Sequence, residues 1–78
     1  MPLIKNDNLF LLKLGIHIVK IRKSKNMKQY ELSDLLGMDD GGLRKIESGR
    51  TNPTIKTLIR IANALEIDFV ELFHFNKD

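Results

Sequence analysis

The sequence predicts an all-α protein: one compact domain of five helices. Apolar residues recur at spacings of three and four in Leu11, Leu14, Ile18 and Ile21, and again in Ile55, Leu58, Ile61, Ala62 and Leu65. Helix-ending punctuation, at Gly37, Gly49 and Pro53, falls between the apolar stripes. The remaining pattern offers little for strands. A chain of 78 residues, 42% hydrophobic and 29% charged, has room for a single core, which excludes a two-domain enzyme.

The first helix is expected over about 9–24, after a frayed tail at 1–8. Ile16 and Val19 fall off its main stripe and need cover, either from the segment 9–12 or from a partner. The apolar run is shorter than the roughly 20 residues that cross a bilayer, and Lys13 interrupts it. Its basic cluster follows the run, the reverse of a secretory signal. No membrane partner is expected.

Residues 24–28 link to a second helix over 29–36, with Leu32, Leu35 and Leu36 directed inward and Gly37 ending it in the left-handed conformation. Met38 and Asp39 complete a tight turn. Asp39 or Asp40 then caps a third helix, which buries Leu43 and Ile46, closes at Gly49 and starts weakly because Gly41 and Gly42 occupy its first turn. Residues 50–53 form a loop, and Thr54 caps the fourth helix. Asp68 and Glu71 have capping-box spacing for a short fifth helix carrying Phe69, Val70, Leu72 and Phe73. Residues 76–78 are expected to be a tail, leaving the domain at 9–75.

The charge is unevenly spread. Net charge is +3 overall, but Lys13, Lys20, Arg22, Lys23, Lys25 and Lys28 form a run without a single acid, whereas Glu66, Asp68, Glu71 and Asp78 face only Lys77 at the other end. One end is suited to a polyanion and the other is not. The absence of cysteine excludes disulfides, thiolate metal sites and a cysteine nucleophile. It fits a reducing compartment, and a cytoplasmic location is expected. His17 and His74 stand 57 positions apart, there is no phosphate-cradling glycine loop, and Asp39-Asp40-Gly41-Gly42 lacks the alternating oxygen ligands of a calcium loop. Neither catalysis nor a metal or cofactor is expected.

The informative stretch is 29–49, where two eight-residue helices separated by a tight turn have helix-turn-helix spacing. Their close crossing needs a small residue in the middle of the first, and Ser33 supplies it. Within this frame Leu14-Gly15, Ile18, Arg22, Gln29, Leu32, Leu36-Gly37, Ile46-Glu47, Gly49-Arg50, Asn52-Pro53, Leu58, Ile61-Ala62, Ala64-Leu65 and Leu72-Phe73 follow one family pattern. Over 9–73 the chain resembles the lambda-repressor-like, Cro/C1-type helix-turn-helix domains. Among these it is similar to the short free-standing members, which include restriction-modification controller proteins, small phage repressors and some antitoxins.

The resemblance implies a sequence-specific double-stranded DNA-binding transcriptional regulator, a repressor or autoregulatory controller. The third helix would lie in the major groove, with Asp40, Gly41, Arg44 and Lys45 near base edges or flanking phosphates and Lys45 as the principal base reader. Gln29 would anchor a phosphate and brace the recognition helix, with Lys28, Arg50, Thr51 and Asn52 flanking the same surface. Arg22 would pair with Glu47 inside the domain. The family also implies a homodimer, and the surplus of apolar residues at the C-terminus places its interface at Phe69, Val70, Phe73 and Phe75.

Two departures qualify this reading. Asp-Asp-Gly-Gly stands where the family carries Ser, Thr or Gln, so few side chains are left to read bases, and Lys28 replaces the usual Ser or Thr cap. The alternative is a protein-interaction module on the same fold, such as an antitoxin whose main partner is a toxin. A basic face at Lys28, Arg44, Lys45 and Arg50 favours DNA.

Overall fold

Residues 5–75 are described by a computed structural model. Four α-helices follow in order: α1 (Asp7–Ser24), α2 (Gln29–Leu36), α3 (Asp40–Glu47) and α4 (Ile55–Leu65). A single 3-10 helix (Phe69–Phe73) then closes the domain in place of the expected fifth α-helix. Among the described residues there is no strand. The all-helical class is as the sequence predicts, with four α-helices rather than five.

The first helix begins two residues earlier than its stripe suggests. The Asn6 side chain caps it by accepting the Leu9 N–H at 2.9 Å, and Asp7 in the first turn suits the helix dipole. Residues 7 and 8 are therefore helical. The expected tail at 76–78, like residues 1–4, lies outside the described residues.

α2 and α3 match the predicted boundaries. Gly37 takes φ +68° at the end of α2, and the guanidinium of Arg60 on α4 donates to the last α2 carbonyl, at Leu36. A helix C-terminus that lacks acceptor partners is thereby tied to a neighbouring helix. At the start of α3 the capping residue is Asp39, whose Oδ1 accepts the Gly42 N–H at 2.7 Å. Thr54 Oγ1 accepts the Thr57 N–H at 3.1 Å at the start of α4. The Asp68 side chain makes no cap bond, so the predicted capping box is absent. With one turn of chain and no side-chain cap, the segment winds into the tighter 3-10 form.

The core draws on every element: Leu14 and Ile18 from α1, Leu32 and Leu36 from α2, Leu43 and Ile46 from α3, Leu58, Ile61, Ala62 and Leu65 from α4, and Leu72 from the 3-10 helix. α2 packs on both α3 and α4, while α1 spans α3 and the 3-10 helix. Two expectations fail. Leu35 and Ile55 are each 62% exposed: Leu35 sits off the buried face of the short α2, and Ile55 is the first residue of α4, at the end of its stripe. Ile16 is exposed and Val19 half-buried, so the 9–12 segment does not cover Ile16.

Close approach of α1 to α3 is made possible by glycine. A Cβ on Gly15 would lie 2.4 Å from the Glu47 carbonyl oxygen and 2.6 Å from that of Ile46. Gly49, at φ +74°, would bring a Cβ within 2.6 Å of the Leu12 backbone. The end of α3 therefore rests directly on the α1 main chain.

Candidate nucleic-acid interface

The inner side of α3 is fixed by a buried polar cluster. Arg22 and Glu47 are each 7% exposed. Arg22 Nε donates to Glu47 Oε2 at 2.8 Å, and Nη2 donates to Oε1 at 3.1 Å. Arg22 Nη1 donates to the Met27 carbonyl at 2.9 Å, and Gln29 Nε2 donates to Glu47 Oε1 at 2.8 Å. The cluster thus joins α1, the α1–α2 link, the start of α2 and the end of α3. Every charged hydrogen bond is made to a partner of opposite or complementary character, as a buried pair requires.

Gln29 is half-buried, and its amide nitrogen is held by Glu47, so the side chain braces α3 from behind. The backbone N–H groups of Gln29 and Tyr30 lie in the first turn of α2, where a helix has no internal acceptors to offer. Lys28 precedes them and is exposed. Its own N–H donates to Glu31 Oε1 at 2.8 Å, one half of a capping box, while the lysine side chain makes no cap bond. The Glu31 half was legible in the sequence as an acid three residues after the cap.

The outer side of α3 exposes Asp40, Arg44, Lys45 and Ser48, whereas Leu43, Ile46 and Glu47 are buried. Two cations and one carboxylate therefore share the free flank of this helix. The carboxylate is restrained: Asp40 Oδ1 lies 2.6 Å from Ser33 Oγ. Beyond α3, Arg50 is exposed and its Nε donates to Ser48 Oγ at 2.8 Å. Asn52 is exposed and Thr51 half-exposed in the loop before α4. Lys28 at the cap of α2, Gln29, Arg44, Lys45, and Arg50, Thr51 and Asn52 in the loop after α3 all belong to the part of the fold built around the turn.

At the opposite end the aromatic residues divide. Phe10 on α1 stacks with Phe73 (6.4 Å between ring centroids) and tilts against Phe75 (5.2 Å). His17 lies 5.5 Å from Phe75, and its Nε2 is 2.9 Å from the Glu71 carbonyl oxygen. Phe73 and Phe75 are thus half-buried and help to close the monomer, while Phe69 and Val70 are 38% and 56% exposed. Spacing alone does not separate these four residues, because the segment is too short to show which way each one faces.

Two short helices crossing at a left-handed glycine, with the second pinned from inside and open outside, define a helix-turn-helix protein. The helix-turn-helix family model (HTH_3) matches residues 18–72. The chain belongs to this family, in its Cro/C1-type branch. It is 46% identical over 56 residues to the ImmF control region 10 kDa protein of Bacillus phage phi105, with 72% of this chain and 62% of that protein covered. The chain thus spans less than two thirds of that relative's length. The restriction-modification controller protein C.AhdI from Aeromonas hydrophila superposes with a TM-score of 0.78 at 32% identity, covering 81% of this chain and 96% of that one. The restriction-modification controller protein C.Esp1396I, solved as a tetramer with its natural 35 base-pair operator, gives a TM-score of 0.74 at 36% identity over 82% of this chain and 84% of that one. Among the described residues no helix is long and apolar enough to cross a membrane.

Proposed function

We propose that this chain is a DNA-binding transcriptional regulator, a repressor or autoregulatory controller, that sets α3 into the major groove of a duplex as a homodimer. The observation that carries the proposal is the two-sidedness of α3. Its inner flank is fixed by Leu43, Ile46 and the Arg22–Glu47–Gln29 cluster, and its outer flank presents Arg44 and Lys45 to solvent. A rod held rigidly from behind presents its side chains in register, which base reading requires.

Lys45 reads a base edge as a donor to guanine O6 and N7. Lys28 and Arg50 meet phosphates, and the start of α2 directs backbone N–H groups at the same strand. Thr51 and Asn52 border the contact, and Gly41 lets the backbone of α3 approach the groove wall closely. Two-fold pairing through the C-terminal segment would set two recognition helices about 34 Å apart, one turn of DNA. The solved complex of a controller protein with its operator supports this reading by likeness of fold and sequence.

The test is selection of bound sites from random duplex DNA at near-physiological salt, followed by a salt titration on the selected site. A two-fold symmetric site is expected, together with a log K against log salt slope of roughly −0.9 per phosphate neutralised. A random pool after selection, or affinity indifferent to salt, would end the DNA reading and leave the protein-interaction alternative.

A further inference from the structure

Ser33 sits in the middle of α2, 1% exposed, and its Oγ has two acceptors within reach: the Tyr30 carbonyl oxygen at 2.9 Å and Asp40 Oδ1 at 2.6 Å. A hydroxyl carries one proton. The Tyr30 carbonyl lies within the α2 ladder, where the N–H four residues on already donates to it. The contact to Asp40 has the length of a charge-assisted O–H···O⁻ bond, roughly 2.5 to 2.7 Å. The proton therefore points to Asp40, and the carboxylate is pinned through Oδ1 to the inside of the domain.

Asp40 and its neighbour Asp39 thus have separate duties. Asp39 caps α3 through Gly42 N–H. Asp40 stands exposed in the first helical turn, where a carboxylate suits the helix dipole and can only accept hydrogen bonds. Beside it Gly41 and Gly42 offer no side chains, and a Cβ on Gly41 would touch only Asp39, at 3.6 Å. Asp40 is exposed as a residue, and its Oδ1 is the oxygen taken up by Ser33, which leaves Oδ2 as the acceptor available to a base edge brought to this turn.

We infer that Ser33 is a positioning residue for base readout: by holding Asp40 Oδ1 it aims Oδ2 at the N4 amino group of a cytosine, at one position in each half-site. This rests on the proposed DNA-binding function and adds the base that one residue selects. The chemistry of the groove selects cytosine. A carboxylate that only accepts needs an exocyclic amino group, which rules out guanine and thymine edges. The adenine amino group is flanked by acceptors on both sides, its own N7 and thymine O4, and both repel a carboxylate. The cytosine amino group has an acceptor on one side only, the guanine O6, and can be approached from the other.

Site selection from random duplexes with the full chain, wild type against Ser33→Ala and Asp40→Asn, tests this. Wild type is expected to show one position per half-site at which cytosine is preferred by roughly tenfold or more over the other bases. Ser33→Ala keeps a small residue at the helix crossing; it should flatten that position alone, leaving the other positions and non-specific DNA affinity within about threefold of wild type. Asp40→Asn should shift the preference toward adenine, whose N6 and N7 an amide can bridge. Cytosine preference undiminished in a folded Ser33→Ala would overturn the inference, as would undiminished preference in Asp40→Asn or a wild-type site without such a position, and in each case the DNA-binding function would stand. Wild type selecting no site at all would bring down both. Should Ser33→Ala lose its helical circular dichroism, Ser33→Cys, which keeps a small side chain but donates only weakly, takes its place with the same expected and overturning outcomes.

Discussion

The Arg22 guanidinium clasps the Glu47 carboxylate at two points, Nε to Oε2 at 2.8 Å and Nη2 to Oε1 at 3.1 Å, across 25 residues of sequence. With Gln29 and the Met27 carbonyl joined to the same pair, the position of α3 is set from its buried side.

Removing one member of this pair leaves the other charge buried without its partner. Arg22→Ala and Glu47→Ala are each expected to lose roughly 3 to 5 kcal/mol of unfolding free energy, a large share of what a domain of this size possesses. Replacing both by apolar residues of similar volume should cost less than either single change. Urea titration followed by circular dichroism gives all four values, and a double variant worse than the sum of the singles would contradict the burial argument.

The contact between α1 and α3 is main chain against main chain. Gly15→Ala forces a methyl group to within 2.4 Å of the Glu47 carbonyl oxygen, so the helices must part. A loss of about 1 to 3 kcal/mol is expected from overpacking of this kind. Because α3 moves with Glu47, DNA affinity should fall further than the melting point alone explains. An unchanged melting curve would show that the helices are less closely apposed.

Glu66 ends α4 in the left-handed region at φ 57°, a conformation that costs a non-glycine residue about 1 to 2 kcal/mol. Glu66→Gly should therefore stabilise the domain by about 0.5 kcal/mol, the relief being partly offset by the greater freedom of glycine in the unfolded chain. It also removes an exposed acid. Thermal unfolding measures the effect, and destabilisation would mean that the Glu66 side chain contributes an interaction not evident in the fold.

Lys45 and Lys28 are assigned different tasks, and the two are separable. Lys45→Ala should relax preference at one base pair by about 1 to 3 kcal/mol, whereas Lys28→Ala should weaken binding to all sequences alike and reduce the salt slope by about one. Binding titrations on cognate and scrambled duplexes at several salt concentrations distinguish these. The same loss of specificity in both variants would refute the division.

Phe69 and Val70 remain exposed after Phe73 and Phe75 have turned to Phe10. Val70→Asp is expected to lower the dimerisation affinity at least tenfold without altering the monomer's stability by more than about 0.5 kcal/mol. Sedimentation equilibrium reports the first and thermal unfolding the second. A wild-type chain that is monomeric at high micromolar concentration would remove the proposed interface.

Much of this molecule is written in local pattern. The stripes of α1 and α4, the left-handed Gly37, the Thr54 cap and the spacing of the two central helices follow from periodicity and capping chemistry, which act over a few residues. The Arg22–Glu47 pair was reached through the family resemblance and not through spacing, because 25 residues of separation leave no periodic trace. Legibility failed where a short element had to choose a face. Leu35 and Ile55 look like core in sequence and are solvent-exposed; Phe73 and Phe75 look like surplus and turn back onto α1.

What the sequence determined by itself was the helical class, the helix-turn-helix and the basic character of one end, since each rests on residue type and near-neighbour spacing. Tertiary structure alone decided that Ser33, chosen for its size, also holds Asp40, that Arg60 closes the end of α2, and that Gly15 seats the end of α3 against α1. These depend on distances between elements far apart along the chain, and such distances exist only once the hydrophobic stripes have packed.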